Sequence, residues 1–230
     1  MAGIHYIFHL AAAYREAGLP DGVYRKVHVE STRLFAIEAK KNKDFKRFIH
    51  ISTVGVHGHI EHPPANEDAP FSPGDIYQKT KAEAEEWLRK FATESQLPYT
   101  IIRPAAIYGP GDKRLLKLFK MAAMPYFIVI GNGKTLYHLV HVDDLTDAII
   151  LAAVHPSAVC ETFICGSPQP KTIEEIGKII SDALNKPFRP VHLPVTPFFM
   201  LADICEMISK LLRIKPIICL LYTSPSPRDS

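Results

Sequence analysis

Residues 47–53 read Arg-Phe-Ile-His-Ile-Ser-Thr, an alternating segment rich in β-forming side chains that predicts a strand. Residues 76–94 carry Ala, Trp, Leu and Phe at helical spacing among Lys and Glu, and Pro98 closes this helix. Residues 99–103 predict a second strand. A strand, a helix and a strand in this order indicate a βαβ unit with parallel strands, so we expect an α/β fold.

The same alternation continues on both sides of this unit. Residues 4–10 are a short apolar run typical of a buried parallel strand, and residues 27–41 predict a helix. Further along, we expect a strand at 127–130, a helix at 142–154 and a capping box at 172–175. The pattern predicts a doubly wound parallel sheet, partial and Rossmann-like, with a smaller C-terminal lobe.

The composition of the 230 residues is that of a globular protein, with 47% hydrophobic and 22% charged residues, which excludes a disordered chain. A net charge of +3 is too small to indicate a nucleic-acid partner. The four cysteines form no C-x-x-C pair, and we expect Cys160 and Cys165 to be buried as small apolar residues. Without a signal peptide or an apolar run of about 18 residues, we expect a cytoplasmic protein with no membrane span.

Residues 54–75 contain Gly and Pro at seven positions, too many for a regular element, and predict a long loop. His57, His59 and His62 fall within this loop but lack the i, i+4 spacing of helical metal ligands. We therefore interpret them as part of a solvated loop and predict no metal site.

The residues best suited to chemistry are Thr53, Tyr77 and Lys81. Tyr77 and Lys81 are four apart and share one face of the predicted helix, so the ammonium can stand near the phenol and favour its ionised form. The Thr53 hydroxyl, at the end of a strand, can hydrogen-bond the substrate oxygen with which Tyr77 would exchange a proton. Tyr and Lys four apart also occur on many solvent-facing helices, so this spacing is weak evidence by itself. In their order along the chain, the three groups suit proton transfer coupled to oxidation or reduction at a carbinol or carbonyl carbon.

Four ordered segments carry a resemblance to a known family. They lie at residues 7–12 (Ile-Phe-His-Leu-Ala-Ala), 51–58 (Ile-Ser-Thr-Val-Gly-Val-His-Gly), 103–112 (Arg-Pro-Ala-Ala-Ile-Tyr-Gly-Pro-Gly-Asp) and 138–145 (His-Leu-Val-His-Val-Asp-Asp-Leu). Together with Tyr77 and Lys81 they resemble the extended short-chain dehydrogenases/reductases, the NAD-dependent epimerase/dehydratase family. The resemblance extends from residue 4 to about residue 218.

The resemblance implies a site for NAD or NADP and a small-molecule substrate. It implies that Thr53, Tyr77 and Lys81 are catalytic and that Tyr77 and Lys81 also contact the cofactor, with Lys81 on the nicotinamide ribose. Further cofactor contacts are implied in two segments, namely Leu10, Ala11 and Ala12 along the cofactor, and Pro104 and Ala105 beside the nicotinamide. The simpler alternative for these apolar residues is packing. Asp143 and Asp144 are better explained as caps at a helix start than as acids.

The resemblance also implies a division of the chain. We expect residues 1–108 to form a partial NAD(P)-binding Rossmann domain, and residues 109–218 to contribute late Rossmann elements and the substrate-binding lobe. Residues 219–230 resemble the translation of a sequencing adapter, and we expect an artefactual tail. The stretch 198–212 is apolar and is expected to cover the substrate lobe, with a membrane-surface or dimer role as the alternative.

The departures from the family pattern are informative. The glycine-rich first turn that would cradle the cofactor pyrophosphate is not in the sequence, so we expect an N-terminally truncated chain. Ala106 and Tyr137 stand where nucleotide-sugar members carry Asn and Arg, which weakens the case for a sugar diphosphate. His28 stands in place of a cofactor-side Asn, and His57 in place of a Tyr.

Three functions follow as hypotheses. The first is an NAD(P)-dependent oxidoreductase acting on a secondary alcohol or ketone, sterol- or isoprenoid-like. The second is a nucleotide-sugar 4-epimerase or dehydratase with the same machinery. The third is a non-catalytic, truncated chain unable to hold the cofactor. A homodimer formed through the helix at residues 76–94 is a further expectation.

Overall fold

The computed structural model describes residues 3–13, 19–61, 63–113 and 115–194. The predictions for the segments 198–212 and 219–230 fall on residues outside the described ranges. The strands are β1 (Tyr6–His9), β2 (Arg47–Ile51), β3 (Tyr99–Pro104), β4 (Ala106–Tyr108), β5 (Phe127–Ile130), β6 (Leu136–Tyr137), β7 (Leu139–His141), β8 (Glu161–Cys165), β9 (Lys171–Thr172) and β10 (Pro190–Leu193). The α-helices are α1 (Asp21–Arg25), α2 (Ser31–Lys40), α3 (Ile76–Ser95), α4 (Leu116–Ala122), α5 (Val142–Val154) and α6 (Ile173–Ala183).

Two compact units share the chain, the first comprising residues up to Gly109 together with Leu139–Pro168. Its four-stranded sheet has the order β1-β2-β3-β8, and every neighbouring pair is parallel. The chain crosses from strand to strand through helices, as parallel pairing requires. This is the Rossmann-like α/β fold expected from the sequence.

The central strands bury both faces, which explains their near-continuous apolar sequence. Phe48 of β2 packs on one side of the sheet in a cluster with Leu88 of α3 and Ala36 of α2. Ile49, the next residue of β2, packs on the other side in a cluster with Ala152 of α5. Successive side chains of one strand thus hold helices on opposite faces of the sheet.

The second unit contains Pro110–His138 and the described residues from Gln169 onward. In it β5 pairs with β10 in parallel, and β6 pairs with β9 in antiparallel orientation. Gly177 of α6 permits a close approach to Phe127, because a Cβ there would lie 2.4 Å from the phenyl ring. The division into residues 1–108 and 109–218 stays a prediction.

The helix before β2 begins earlier than expected, at Asp21, and a π-helical turn at Lys26–Glu30 separates α1 from α2. The loop after β2 also differs from expectation, because its first residues, Val54–His57, form a 3-10 turn.

Four further side chains differ from the prediction. The cap of α5 is His141, whose side chain accepts from the Asp143 amide, whereas Asp143 and Asp144 lie within the first turn. Cys160 is exposed at a positive φ of 62° and Cys165 is half-buried, because Cys160 lies in the turn entering β8.

Candidate active site

The expected site residues lie around the carboxyl edge of the first unit's sheet. Because β1, β2 and β3 are parallel and adjacent, the segments that follow them leave the sheet at the same edge, where open α/β sheets bind ligands. Leu10, Ala11 and Ala12 follow β1 and are exposed. Thr53 follows β2, and Pro104 with Ala105 ends β3.

Pro104 and Ala105 are the candidates most strongly held by the fold. Both are buried, and the Ala105 amide donates to the Cys165 carbonyl at the end of β8, at 2.8 Å. Their packing role is therefore visible in the structure, and their contact with a cofactor stays a prediction.

Lys81 links α3 to the sheet edge. Its side chain is almost wholly buried, at 1% exposure, and Nζ donates to the Ile51 carbonyl at 2.9 Å. Nζ also lies 3.5 Å from the Ala11 carbonyl, in the segment after β1. Burial lowers the pKa of Lys81 to about 8, and the Glu85 carboxylate opposes this shift.

Thr53 begins the 3-10 turn that follows β2, and its Oγ1 accepts from the Gly55 amide at 3.1 Å. Gly55 lies against the start of α3, because a Cβ there would be 3.1 Å from Nε2 of Gln78. Tyr77, the neighbour of Gln78, is half-buried. The structure thus places Thr53 and Lys81 at the carboxyl end of β2 and Tyr77 one turn before Lys81 on α3, and their catalytic roles stay predictions.

Three buried histidines lie near Lys81, and two of them, His9 and His50, have no role predicted from the sequence. Their rings stack at 5.6 Å between centroids, and His9 Nε2 lies 2.8 Å from Ser31 Oγ. Burial, followed by the charge of Lys81, lowers the pKa of His9 to about 4 and that of His50 well below its usual value. Neither ring nitrogen of His50 has a hydrogen-bond partner among the described residues.

The third histidine, His28, occupies the π-helical turn and is fully buried. Its Nε2 accepts from the Ala13 amide at 3.0 Å, and its Nδ1 lies 2.8 Å from Thr80 Oγ1. The ring meets that of Tyr77 edge-on, with centroids 5.2 Å apart. Burial and, secondarily, the charge of Lys81 lower the pKa of His28 to about 3.

A buried ion pair that sequence reasoning missed holds the loop between Thr53 and Tyr77. Arg103 donates to both carboxylate oxygens of Glu85, through Nε at 3.1 and 3.2 Å and Nη2 at 2.7 Å. Nη1 donates to the Glu67 carbonyl at 2.8 Å and lies 3.0 Å from His57 Nε2. Arg103 therefore fastens the loop at two points to the helix that carries Tyr77.

The loop itself borders a cavity of about 690 Å³, whose polar lining includes His57, Glu61 and Asn66. Across the described part of the chain, no three His, Cys, Asp or Glu side chains are grouped as a metal would require. Within those same residues, no helix combines the length and the apolar character needed to cross a bilayer.

A model of the NAD dependent epimerase/dehydratase family matches residues 1–166. The chain is 30% identical over 217 residues to N-acetyl-alpha-D-glucosaminyl-diphospho-ditrans,octacis-undecaprenol 4-epimerase of Escherichia coli O157:H7, covering 92% of this chain and 64% of the relative. It is 33% identical over 141 residues to the decarboxylating sterol-4-alpha-carboxylate 3-dehydrogenase of Candida albicans, covering 59% of this chain and 40% of that protein.

Among solved structures, a short-chain dehydrogenase/reductase superfamily protein from Agrobacterium tumefaciens with bound NAD superimposes with a TM-score of 0.71. The two share 22% identity, and the alignment covers 84% of this chain and 69% of that one. The similarity establishes the shared fold. The chain spans 64% of the length of its Escherichia coli relative, and less of the Candida protein.

Proposed function

This chain belongs to the NAD-dependent epimerase/dehydratase family, and we propose that its site serves the NAD(P)-linked oxidation or reduction of a secondary alcohol or ketone. The observation that carries the proposal is the placement of Lys81. Its buried ammonium bonds the Ile51 carbonyl, two residues before Thr53, and Tyr77 lies one turn earlier on the same helix. A perturbed lysine at the ligand-binding edge of a parallel sheet is typical of a functional site.

The described residues fit the nicotinamide end of such a cofactor. Lys81 and Tyr77 would hold the ribose, the exposed segment Leu10–Ala12 would lie along the cofactor, and Pro104 with Ala105 would border the nicotinamide ring. Nζ of Lys81 stands 3.5 Å from the Ala11 carbonyl, so it already lies beside the segment assigned to the cofactor. When bound, the nicotinamide supplies the oxidation or reduction of the substrate carbon.

The chain's own residues then handle the substrate oxygen and its proton. Tyr77 acts as the general acid/base, giving a proton to a carbonyl oxygen or taking one from a hydroxyl. The Lys81 ammonium favours the phenolate of Tyr77 electrostatically. Thr53 Oγ1 accepts from the Gly55 amide, so its hydroxyl hydrogen stays available to bind the substrate oxygen.

The substrate we favour is uncharged, with a sterol- or isoprenoid-like body. Ala106 and Tyr137 provide neither the amide nor the guanidinium that would pair with a sugar diphosphate. Tyr137 carries a neutral phenol, which cannot replace a guanidinium as a partner for phosphate. The Candida relative, named as a sterol dehydrogenase, agrees with this choice.

Nucleotide-sugar 4-epimerisation or dehydration is the second candidate, and the 4-epimerase relative of Escherichia coli supports it equally. In that reaction a bound nicotinamide would supply the transient oxidation of a ring carbon, and the same three residues would bind the attached oxygen and move its proton. A third candidate is that these 230 residues do not hold the cofactor by themselves.

Titration with the nicotinamide cofactors and assays of turnover distinguish the three candidate functions. We expect NAD or NADP to bind to the chain. Incubation with the oxidised cofactor and a 3β-hydroxysteroid should then produce reduced nicotinamide. Tyr77→Phe should abolish turnover while cofactor binding persists. Conversion of a UDP-sugar to its epimer without net reduction would favour the second candidate. Failure of the 230 residues to bind either nicotinamide cofactor would favour the third.

A homodimer through the helix at residues 76–94 remains a proposal. Lys79, Glu86 and Lys90 are exposed along α3 and would line that interface. Sedimentation equilibrium of the wild-type chain and of Lys90→Glu would test it, with weaker association expected for the variant.

A further inference from the structure

His28 connects three elements of the site. It lies in the π-helical turn between α1 and α2, and short π-helical segments within helices occur frequently at functional sites. Its imidazole is fully buried, so a hydrogen bond left unmade there would be costly. Both ring nitrogens have partners, one in the segment after β1 and the other on α3.

The identity of these partners fixes the tautomer. A backbone amide can only donate, so the 3.0 Å contact with Ala13 requires a lone pair on Nε2. The single proton of the neutral ring is then on Nδ1 and is donated to Thr80 Oγ1 at 2.8 Å. The Thr80 hydroxyl can in turn donate to the Ile76 carbonyl at 2.8 Å. The chain of bonds runs in one direction, and an imidazolium would break it at Ala13.

The hydrogen-bonded series Ala13–His28–Thr80 joins two segments whose positions matter for the proposed chemistry. Ala13 directly follows Leu10–Ala12, the segment assigned to the cofactor. Thr80 precedes Lys81, and the Tyr77 ring packs edge-on against His28 with an interplanar angle of 88°. His28 therefore joins the cofactor segment to the part of α3 that carries the acid/base.

We propose that His28 is a positioning residue, whose neutral imidazole fixes Ala13 and the preceding cofactor segment to the Tyr77 end of α3. This inference rests on the proposed function for its catalytic consequence, but the link itself exists without cofactor or substrate. His28→Leu removes both hydrogen bonds and retains an apolar side chain. His28→Gln retains an acceptor and a donor on neighbouring atoms and is the conservative control.

The first test needs no activity. In the wild-type chain, nitrogen-15 spectra of the imidazoles should show the Nδ1–H tautomer for His28. Amide hydrogen exchange at Ala13 should become about ten- to a hundredfold faster in His28→Leu, and His28→Gln should restore the protection. Unchanged exchange at Ala13, or equal acceleration at Ala13 and in β2, would overturn the proposal, since the second result describes general destabilisation.

The second test reads the catalytic consequence. Relative to wild type, His28→Leu should weaken NAD binding about tenfold or more and shift the pH profile of kcat/KM, with both properties recovered in His28→Gln. Identical binding and pH profiles in all three proteins would overturn the positioning role. If the wild type binds no cofactor, the proposed function fails, while the exchange measurement still decides whether His28 holds Ala13.

Discussion

Replacing Glu85 by Ala should destabilise the chain far more than an ordinary substitution. Glu85 is fully buried, and its carboxylate is bonded by Nε and Nη2 of Arg103, which is itself 1% exposed. The alanine variant leaves a guanidinium buried without its counter-charge. Removing one partner of a buried ion pair costs about 3–5 kcal/mol, and we expect a loss in that range.

The same helix offers a matched control two residues away. Glu83 pairs with Arg25 at 2.5 Å, but the side chains are 33% and 53% exposed. Solvent screens such pairs, which contribute about 0–1 kcal/mol, so Glu83→Ala should be nearly silent. Both variants remove one carboxylate from α3 with the same small gain in helix propensity.

Urea unfolding followed by fluorescence of Trp87, the single tryptophan, measures both variants. The midpoint should fall for Glu85→Ala with little change in slope, which would indicate a loss of stability without a change in compactness. Amide exchange in the loop after Thr53 should also accelerate, because Arg103 fastens that loop at His57 and Glu67. A cost for Glu85→Ala no larger than that for Glu83→Ala would refute the assignment of a buried, mutually dependent pair.

Three further predictions use the same assay. Unfolded imidazoles take up protons below about pH 6.5, whereas in the folded chain burial lowers the pKa values of His9 and His28 to about 4 and about 3. Their contribution to the free energy of unfolding is therefore fully present above pH 6.5 and should fall by about 2 kcal/mol per histidine between pH 7 and pH 5. A flat pH profile would contradict their buried, neutral state. Lys81→Met should raise stability at pH 7 by about 1–3 kcal/mol, because it removes a buried ammonium whose pKa is lowered to about 8, while NAD binding is lost; a destabilised variant would show that Lys81 serves the fold. Gly58→Ala should cost more than about 2 kcal/mol, because φ is +65° and the added Cβ would lie 1.9 Å from the Ser72 carbonyl oxygen; a neutral result would mean that the loop rearranges freely.

Local signals in the sequence predicted their elements well. The strand at Phe127–Ile130 and the helix at Val142–Val154 are confirmed within their expected bounds. The capping box is also confirmed, with Thr172 accepting from the Glu175 amide and the Glu175 side chain accepting from the Thr172 amide. In each case the deciding interactions lie within a few residues.

Elements that depend on distant partners were missed. β4 consists of three residues in a segment rich in turn formers, and it exists because β7, some thirty residues later, pairs with it. The start at Asp21 was equally invisible, since α1 has a glycine and only one buried residue, Tyr24. Tertiary contacts overrode the weak local propensity in both places.

The candidate site likewise contains features that local sequence predicts and features that depend on distant partners. The spacing of Tyr77 and Lys81 is a local property of one helix and could be read directly. The bonds of His28 to Ala13 and Thr80 span 15 and 52 residues, and those of Arg103 to Glu85 span 18. Sequence alone identified His28 only as a departure from the family pattern, because the neutral state and the tautomer arise from burial and from partners in other elements.

Two of the buried cations of the first unit, Arg103 and Lys81, differ in how their charge is compensated, and the difference points to function at Lys81. Arg103 has a buried carboxylate partner, so its charge is compensated and it fixes the loop. Lys81 is equally buried, but its Nζ donates to the carbonyls of Ile51 and Ala11, and the Glu85 carboxylate only partly opposes the lowering of its pKa. A fold selected for stability alone would place an apolar residue there. The unfavourable burial of the Lys81 ammonium occurs at the carboxyl edge of a parallel sheet, near Thr53 and Tyr77. A cation is useful there once a substrate and a nicotinamide are present.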